Sequence, residues 1–391
     1  MTKKQNKKTT KSLPSTKIEN KDIEYKASWL ELFFDLVFVA LVAQLTYYFS
    51  HHHSSPKDFI HVFLMGYMIF LSWWGTTANR NLKQQDDTFD IFVIQIQMVL
   101  AMVMSISLPI AFSDSPYSFI FFLMFGLIRG LGLGMILHLY KEHPNKAPKT
   151  RNMLTGFFIA VLLWVIAGFV GEPYVYTFAF MALALDILTP FTTGKGNKMV
   201  YLNMHHLVER LGLLILMVMG ESVLVVALAN TAAGNFDLRN IVFVSAGMFQ
   251  MIAIWWLYFP YIKLKLKGKR ARSFQLMLQS HIALLGSLVL LATGLKVLLK
   301  HYESSFTEDL IFISGLFLVV ASFNSIRASL THSLKISLLH VCIFGIGIAG
   351  ITAGVQIFQL SNTTLVLVST LWLIIYTFYD YHECFGNKCD M

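Results

Sequence analysis

The chain has 391 residues, of which 55% are hydrophobic and only 14% are charged. About a quarter of the residues in a typical soluble domain are charged, so this composition argues against a soluble enzyme or binding module. The formal net charge is +9, which in a soluble protein would suggest a nucleic-acid partner. Here the basic residues lie between long apolar runs, so we interpret the charge as membrane topology and expect no nucleic-acid partner.

The apolar residues occur in runs of the length that crosses a bilayer. A helix of roughly 20 apolar residues spans the hydrocarbon layer with all of its backbone polar groups satisfied internally. We therefore predict an all-α, polytopic membrane protein with a basic cytoplasmic tail at 1–28, a membrane domain at 29–380 and a second cytoplasmic tail at 381–391. The 12 predicted transmembrane helices are 29–49, 59–78, 91–112, 117–137, 153–171, 174–192, 211–230, 240–260, 278–298, 309–327, 334–358 and 363–380.

The distribution of Lys and Arg predicts the orientation, because cytoplasmic loops carry an excess of basic residues. With the N-terminus in the cytoplasm, 26 of the 31 basic residues fall in cytoplasmic segments, and three (Lys57, Arg239 and Lys300) fall on the opposite side. Both termini are therefore predicted to be cytoplasmic. No small-residue cleavage site follows the first apolar run, so we expect this run to be retained as a helix.

A weak internal repeat is present. The pair Trp73-Trp74 recurs as Trp255-Trp256 at an offset of 182 residues, and the same offset places Gln97 over Gln279. Two six-helix halves, 29–192 and 211–380, would have the same orientation, as in parallel transporter repeats. The alternative is coincidence, since Trp is common at membrane interfaces.

Two carboxylates near the start of the first span are candidates for a site. Ionisable side chains within spans are costly and are functional candidates by default. Glu31 and Asp35 lie four residues apart and therefore on one helix face. Two close carboxylates favour a proton or cation site. The alternative is that Glu31 lies at the interface and that Asp35 pairs with an Arg from another helix.

Three further charged residues, Arg129, Asp186 and Glu221, fall deeper in the predicted spans. Glu221 lies about half-way along its span, so it must be protonated, paired or facing water. We regard it as the best single candidate for binding a solute or ion. Arg129 is a suitable partner for Asp35 or for Glu221.

The fourth predicted span carries glycine at every fourth position. Gly126, Gly130 and Gly134 lie one helical turn apart. Such a face of small residues lets a neighbouring helix approach closely. We therefore expect these glycines to serve packing rather than chemistry.

Other polar residues have two interpretations each. Glu209 and Arg210 open the seventh span and form either a mutual surface ion pair or an anchor or gate. His281 is a binding candidate, although a lone His in a span is more often a hydrogen-bonded packing residue. Lys296, near the end of its span, is expected to extend to the far interface.

No motif for a cofactor or metal ion occurs in a suitable context, and we predict neither. The three consecutive histidines at 51–53 occupy a short loop and cannot all face one ion. Asp86, Asp87 and Asp90 lie in a loop before the third span. They are interpreted as a solvated acidic loop, with cation binding as the alternative.

Four stretches in chain order resemble the motifs of the bacterial low temperature requirement A family. They are WLELFFDLVFV at 29–39, WW at 73–74 followed by TANR at 77–80, HLVERLGL at 206–213 leading into Gly220-Glu221, and WWLYF at 255–259 before His281. The likeness extends over nearly the whole chain from residue 28. It implies a multi-pass protein of the bacterial plasma membrane that is linked to growth at low temperature. It adds weight to Glu31, Asp35, Arg80, Glu209, Arg210 and Glu221. We regard Asn79, Arg80, Glu209 and Arg210 as candidates for a gating or structural role.

Three functions are compatible with these features. The leading hypothesis is a transporter or permease for an ion or small solute, with the lipid bilayer and a proton or cation as its other partners. The second is a non-catalytic membrane stress factor or sensor, in which the intramembrane carboxylates can be neutralised without loss of cold growth. The third is an intramembrane lipid-modifying enzyme that uses Asp86, Asp87, His205 and His206.

Overall fold

The computed structural model describes residues 27–53, 55–83, 87–142, 151–189, 203–232, 237–265, 274–300, 305–331 and 334–385. Within these ranges the chain forms twelve α-helices and no strand. The helices are α1 (Trp29–His51), α2 (Pro56–Lys83), α3 (Thr88–Ser107), α4 (Phe119–Glu142), α5 (Arg151–Val170), α6 (Tyr174–Leu188), α7 (Met204–Ala232), α8 (Leu238–Lys265), α9 (Phe274–Lys300), α10 (Phe306–Thr331), α11 (Leu334–Ile357) and α12 (Asn362–Phe385). The two tails lie almost wholly outside the described residues, as do the basic loops at 143–150, 190–202 and 266–273, so the orientation stays a prediction.

Each of the twelve predicted spans coincides with one helix. Eleven of the described helices are long and apolar enough to cross a membrane, and α6 is a shorter apolar helix of 15 residues. The prediction of an all-helical, polytopic membrane protein is confirmed. The largest difference is at α7, which begins at Met204 rather than at residue 211. This earlier start makes His206, Glu209 and Arg210 part of the helix.

The pairs of neighbouring helices in the first predicted half recur in the second, where α8 also packs extensively on α12. In the first half α1 packs on α2 and α3, α4 packs on α2 and α3, and α5 packs on α4 and α6. In the second half the corresponding pairs all recur, with α7 on α8 and α9, α10 on α8 and α9, and α11 on α10 and α12. The halves meet where α1 and α2 contact α7 and α9. This pattern agrees with a six-plus-six repeat, which stays a prediction.

The predicted glycine face of α4 is only partly used for close packing. A Cβ atom on Gly126 would lie 2.3 Å from Cγ2 of Val165 in α5. A Cβ on Gly130 or on Gly134 would meet no atom within 4 Å. The prediction is therefore wrong for these two positions, because helix rotation directs only one of the three glycines at a neighbouring helix.

The closest approach of helix backbones through glycine is between α9 and α10. A Cβ on Gly294 would lie 2.5 Å from Cα of Phe312, and a Cβ on Gly315 would lie 2.6 Å from the backbone nitrogen of Leu291. Real Cβ contacts do not come this close, and backbone atoms cannot move aside as a flexible side chain can. The two glycines therefore set the distance between α9 and α10.

Replacing Gly315 with alanine is expected to destabilise the protein by about 1–3 kcal/mol, the usual cost of overpacking a close interface. The measurement is thermal unfolding of the purified protein in detergent. Gly350→Ala is the matched control, because a Cβ there meets no atom within 4 Å. Equal melting temperatures for the two variants would show that α9 and α10 do not need this contact.

Candidate functional site: a buried ion network between the first and seventh helices

A network of buried charges joins α1, α2 and α7 at one end of the bundle. We call the end at which α1 begins the near end, the opposite end the far end, and this cluster the near-end network. Nη2 of Arg210 lies 2.5 Å from Oδ1 of Asp35, and Nη1 lies 3.3 Å from Oε1 of Glu31. Nε2 of His206 lies 3.4 Å from the other oxygen of Glu31, and Nε of Arg80 lies 3.9 Å from Oε1. All five side chains are less than a tenth exposed.

The start of α1 holds the two carboxylates in place. Ser28 caps the helix, because its hydroxyl accepts a hydrogen bond from the backbone N–H of Glu31. The Glu31 carboxylate accepts one from the backbone N–H of Ser28 at 2.8 Å, which completes a capping box. Asp35 follows one turn later on the same face. The same local sequence thus begins the helix and fixes the depth of the carboxylate pair.

Trp73 and Thr77 of α2 complete the network. The indole N–H of Trp73 donates a hydrogen bond of 2.7 Å to Oδ1 of Asp35, and the Arg210 guanidinium lies 5.9 Å from the centre of the indole ring. Arg210 also donates to the Thr77 hydroxyl at 3.5 Å. From the sequence, Trp73 was noted as a marker of the repeat and as part of a stretch that resembles the family, but not as a site residue. Its position four residues before Thr77 and seven before Arg80, on one helical face, is the signal that could have placed it in the site.

The acidic loop before α3 forms a second ion cluster at the near end. Lys83 pairs with Asp87 and lies 2.9 Å from Asp90. Burial would raise the pKa of Asp87, but hydrogen bonds from Lys83, the backbone of Asp90 and His138 lower it to about 2, so it is ionised at neutral pH. Asp90 is buried, and the interpretation as a solvated loop is therefore wrong for this residue. Asp86 lies outside the described residues.

The residues proposed for a lipid-modifying enzyme take part in different contacts. His206 contacts Glu31, Asp87 contacts Lys83 and His138, and His205 is exposed. In the part of the chain that the structure describes, no three His, Cys, Asp or Glu side chains are grouped so that they could hold a metal ion. The arrangement does not favour the enzyme hypothesis.

Arg129 pairs with Asp186 rather than with Asp35 or Glu221. The two side chains are in contact between α4 and α6, and Asp186 also accepts a hydrogen bond of 2.9 Å from the indole of Trp164 in α5. The expected partnership of Arg129 was therefore wrong. Asp35 does pair with an Arg from another helix, but that residue is Arg210, because α7 and not α4 faces this side of α1.

The second half contains a comparable cluster that the sequence analysis missed. Nη1 of Arg327 in α10 lies 2.6 Å from Oδ1 of Asp380 in α12. Nδ1 of His340 in α11 lies 3.0 Å from the same oxygen, and Nε2 lies 2.9 Å from Glu383. Both halves thus join their fourth and sixth helices by an Arg–Asp pair and bring a ring nitrogen from the fifth helix to the same Asp. Arg327 and Asp380 are the last residues of the predicted spans 309–327 and 363–380, a position at which a charge does not stand out in the sequence.

Glu221 is buried within α7, with 4% of its surface exposed. Neither carboxylate oxygen has a hydrogen-bond partner of good geometry among the described residues. The hydroxyl of Thr46 lies beside it but donates to the backbone oxygen of Val42. Lys296 also lies near, and its ammonium donates to the Ser50 hydroxyl at 2.9 Å. Ser50 is the penultimate residue of α1, so the Lys296 side chain reaches α1 close to the far end. The expected extension of Lys296 to the far interface stays a prediction.

The remaining candidates lie apart from these charges. Both ring nitrogens of His281 are used, one with the Met277 carbonyl at 2.7 Å and the other with the Tyr258 hydroxyl at 3.0 Å. These contacts favour its packing interpretation. Asn79 donates to the Gly132 carbonyl at 2.9 Å and so joins α2 to α4. Glu209 is exposed, while Arg210 faces the carboxylates of α1, so the two do not form the mutual surface pair.

Comparison with known proteins decides the family. The model of the bacterial low temperature requirement A protein matches residues 26–375. The chain belongs to this family. It is also 23% identical over 303 residues to an uncharacterised protein of Rhizobium meliloti (strain 1021), a match that covers 72% of each chain. No solved structure matches the chain.

In this member of the low temperature requirement A family, three of the four resembling stretches meet in the near-end network. The stretch 29–39 supplies Glu31 and Asp35, the stretch 73–80 supplies Trp73 and Arg80, and the stretch 206–213 supplies Arg210. These stretches are far apart in the chain but adjacent in space. The network is therefore the strongest candidate for a functional site.

Proposed function

We propose that this member of the low temperature requirement A family is a transporter or permease for an ion or small solute. The proposed path is the interface between α1 and α7, which is also a contact between the two predicted halves. Transporters built from two repeats bind their substrates at such interfaces. Arg129 and Asp186 lie outside this path, since they join α4 to α6.

The buried carboxylate of Glu221 is the observation that carries the proposal. An ionised carboxylate at this depth is costly unless donors or a cation compensate it. Among the residues that the structure describes, none donates a hydrogen bond of good geometry to this carboxylate, and Lys296 donates to Ser50. The group is therefore suited to take up a proton or a cation and release it when the environment changes.

The near-end network is suited to act as the gate of this path. Glu221 follows Arg210 by eleven residues on α7, about 16 Å along the helix axis. Between them the interface carries buried apolar side chains, among them Val42 of α1 and Leu214 and Val218 of α7. The pairs of Arg210 with Asp35 and Glu31 hold α1 against α7 at the near end, and opening the path there requires these pairs to separate.

The proposal extends to location and physiology. The excess of basic residues supports a cytoplasmic location of the near end and of both termini, and membership of the family supports the bacterial plasma membrane. The family description refers to a low temperature requirement. We accordingly propose that transport by this protein supports growth in the cold.

Replacing Glu221 with glutamine is expected to lower the transport rate at least about tenfold, since the amide cannot exchange a proton or bind a cation by charge. The measurement is flux in proteoliposomes with an imposed pH gradient and a broad panel of ions and small solutes. Glu172→Gln is the matched control, because it removes an exposed carboxylate that pairs with Lys57 near the far end.

Two outcomes contradict the proposal in different ways. If the wild type and the Glu221→Gln variant were both inert across the panel, the protein would not be a transporter of this kind. If both transported at the same rate, transport would stand and the role of Glu221 would be wrong. The stress-factor hypothesis predicts inert proteoliposomes together with normal cold growth of the Glu221→Gln strain.

A further inference from the structure

A groove with a volume of about 300 Å³ lies between α2 and α9. Its floor is formed by α1 and α7, through residues such as Leu45 and Val218. Its walls include Phe70 of α2 and Leu285 of α9, and Gly286 leaves room between the walls. The groove thus lies where the two predicted halves meet.

The groove opens sideways. Phe63 of α2 and Leu318 of α10 line it, and they are 54% and 40% exposed. Leu318 and Gly286 lie near the middle of their helices, and these helices are long enough to cross the bilayer. A side opening at this depth faces hydrocarbon rather than water.

The lining is almost wholly apolar. Among the described residues that form it, only Tyr67, Trp73 and Ser287 carry a polar side-chain atom. Trp73 donates to Asp35, and Ser287 donates to the Leu284 carbonyl at 2.8 Å. A hydrated ion or a sugar would lose hydrogen bonds to water here without gaining others, whereas an alkyl chain has none to lose.

We propose that this groove binds the acyl chain of a membrane lipid, which enters from the bilayer between α2 and α9. The groove opens into the hydrocarbon layer of the bilayer. Because acyl chains fill this layer, an acyl chain is the group that reaches the opening. The acyl chain of the lipid would pack on the faces of α1 and α7 that the near-end network holds together. Trp73 would then contact both the lipid and Asp35. This site goes beyond the proposed transport and does not depend on it.

The test is photo-crosslinking in proteoliposomes with a phosphatidylglycerol that carries a diazirine half-way along one acyl chain. Labelled peptides are identified by mass spectrometry. Labelling is expected to concentrate on the groove residues of α2 and α9. Gly286→Leu places a side chain in the groove and should lower this labelling about tenfold, which corresponds to about 1.4 kcal/mol.

Gly350→Leu is the matched control. A Cβ at either glycine meets no atom within 4 Å, and Gly350 is exposed on α11 outside the groove. Its labelling of α2 and α9 should equal that of the wild type, and both variants should keep the wild-type melting temperature. Labelling spread evenly over all exposed helices would overturn the proposal, as would equal labelling of the Gly286→Leu and Gly350→Leu proteins.

Discussion

Replacing Arg210 with methionine is expected to destabilise the folded protein by about 3–5 kcal/mol, the usual cost of removing one partner from a buried ion pair. Arg210 is 1% exposed and contacts both Asp35 and Glu31. Its loss leaves two buried carboxylates close together without their nearest cation, so they repel each other and lose the compensation that Arg210 provides for their burial. The measurement is thermal unfolding of the purified protein in detergent.

A double variant tests whether the stability lost with Arg210 comes from its ion pair with Asp35. Adding Asp35→Asn to Arg210→Met removes one of the two stranded charges, and the asparagine oxygen can still accept the hydrogen bond from Trp73. We expect the double variant to regain about 1–3 kcal/mol relative to the Arg210→Met protein. The control is Lys335→Gln, which removes an exposed cation at the start of α11. A melting temperature of Arg210→Met equal to that of this control would show that the network does not stabilise the fold.

The second large effect is expected at the contact between α4 and α6. Asp186→Leu should cost about 3–5 kcal/mol, because it leaves Arg129 buried without its counter-charge and Trp164 without its acceptor. Replacing both members of a buried pair by apolar residues is often neutral. The double variant Arg129→Met/Asp186→Leu should therefore recover most of the lost stability, with the unpaired indole N–H as the remaining cost.

The double variant Arg129→Met/Asp186→Leu also shows whether Arg129 and Asp186 serve only stability or transport as well. Since Arg129 and Asp186 lie outside the proposed path, the stable double variant should keep the wild-type flux in proteoliposomes. Asp114→Asn, at an exposed position before α4, is the control for removing a carboxylate. A double variant that is stable but inactive would contradict the assignment of the path to α1 and α7.

The number and position of the helices could be predicted from the sequence because the cost of placing polar backbone and side chains in a bilayer is local. A run of apolar residues of sufficient length must be helical whatever its neighbours are. The main error, at α7, arose because the polar first turns of this helix, with His206 and Arg210, do not resemble a span. In the folded protein these turns are buried against α1, whose carboxylates pair with Arg210 and contact His206.

The near-end network shows what the sequence determined and what only the tertiary structure decided. By its local pattern, the sequence placed Glu31 and Asp35 on one helix face and singled out Glu221 and Arg210 as charges that need an explanation. It could not say that Arg210 pairs with Asp35 while Arg129 pairs with Asp186. Each charge has several partners of the right sign, and the choice depends on which helices are neighbours and how each is rotated about its axis. These are set by packing between segments up to 175 residues apart in the chain, which no local pattern records.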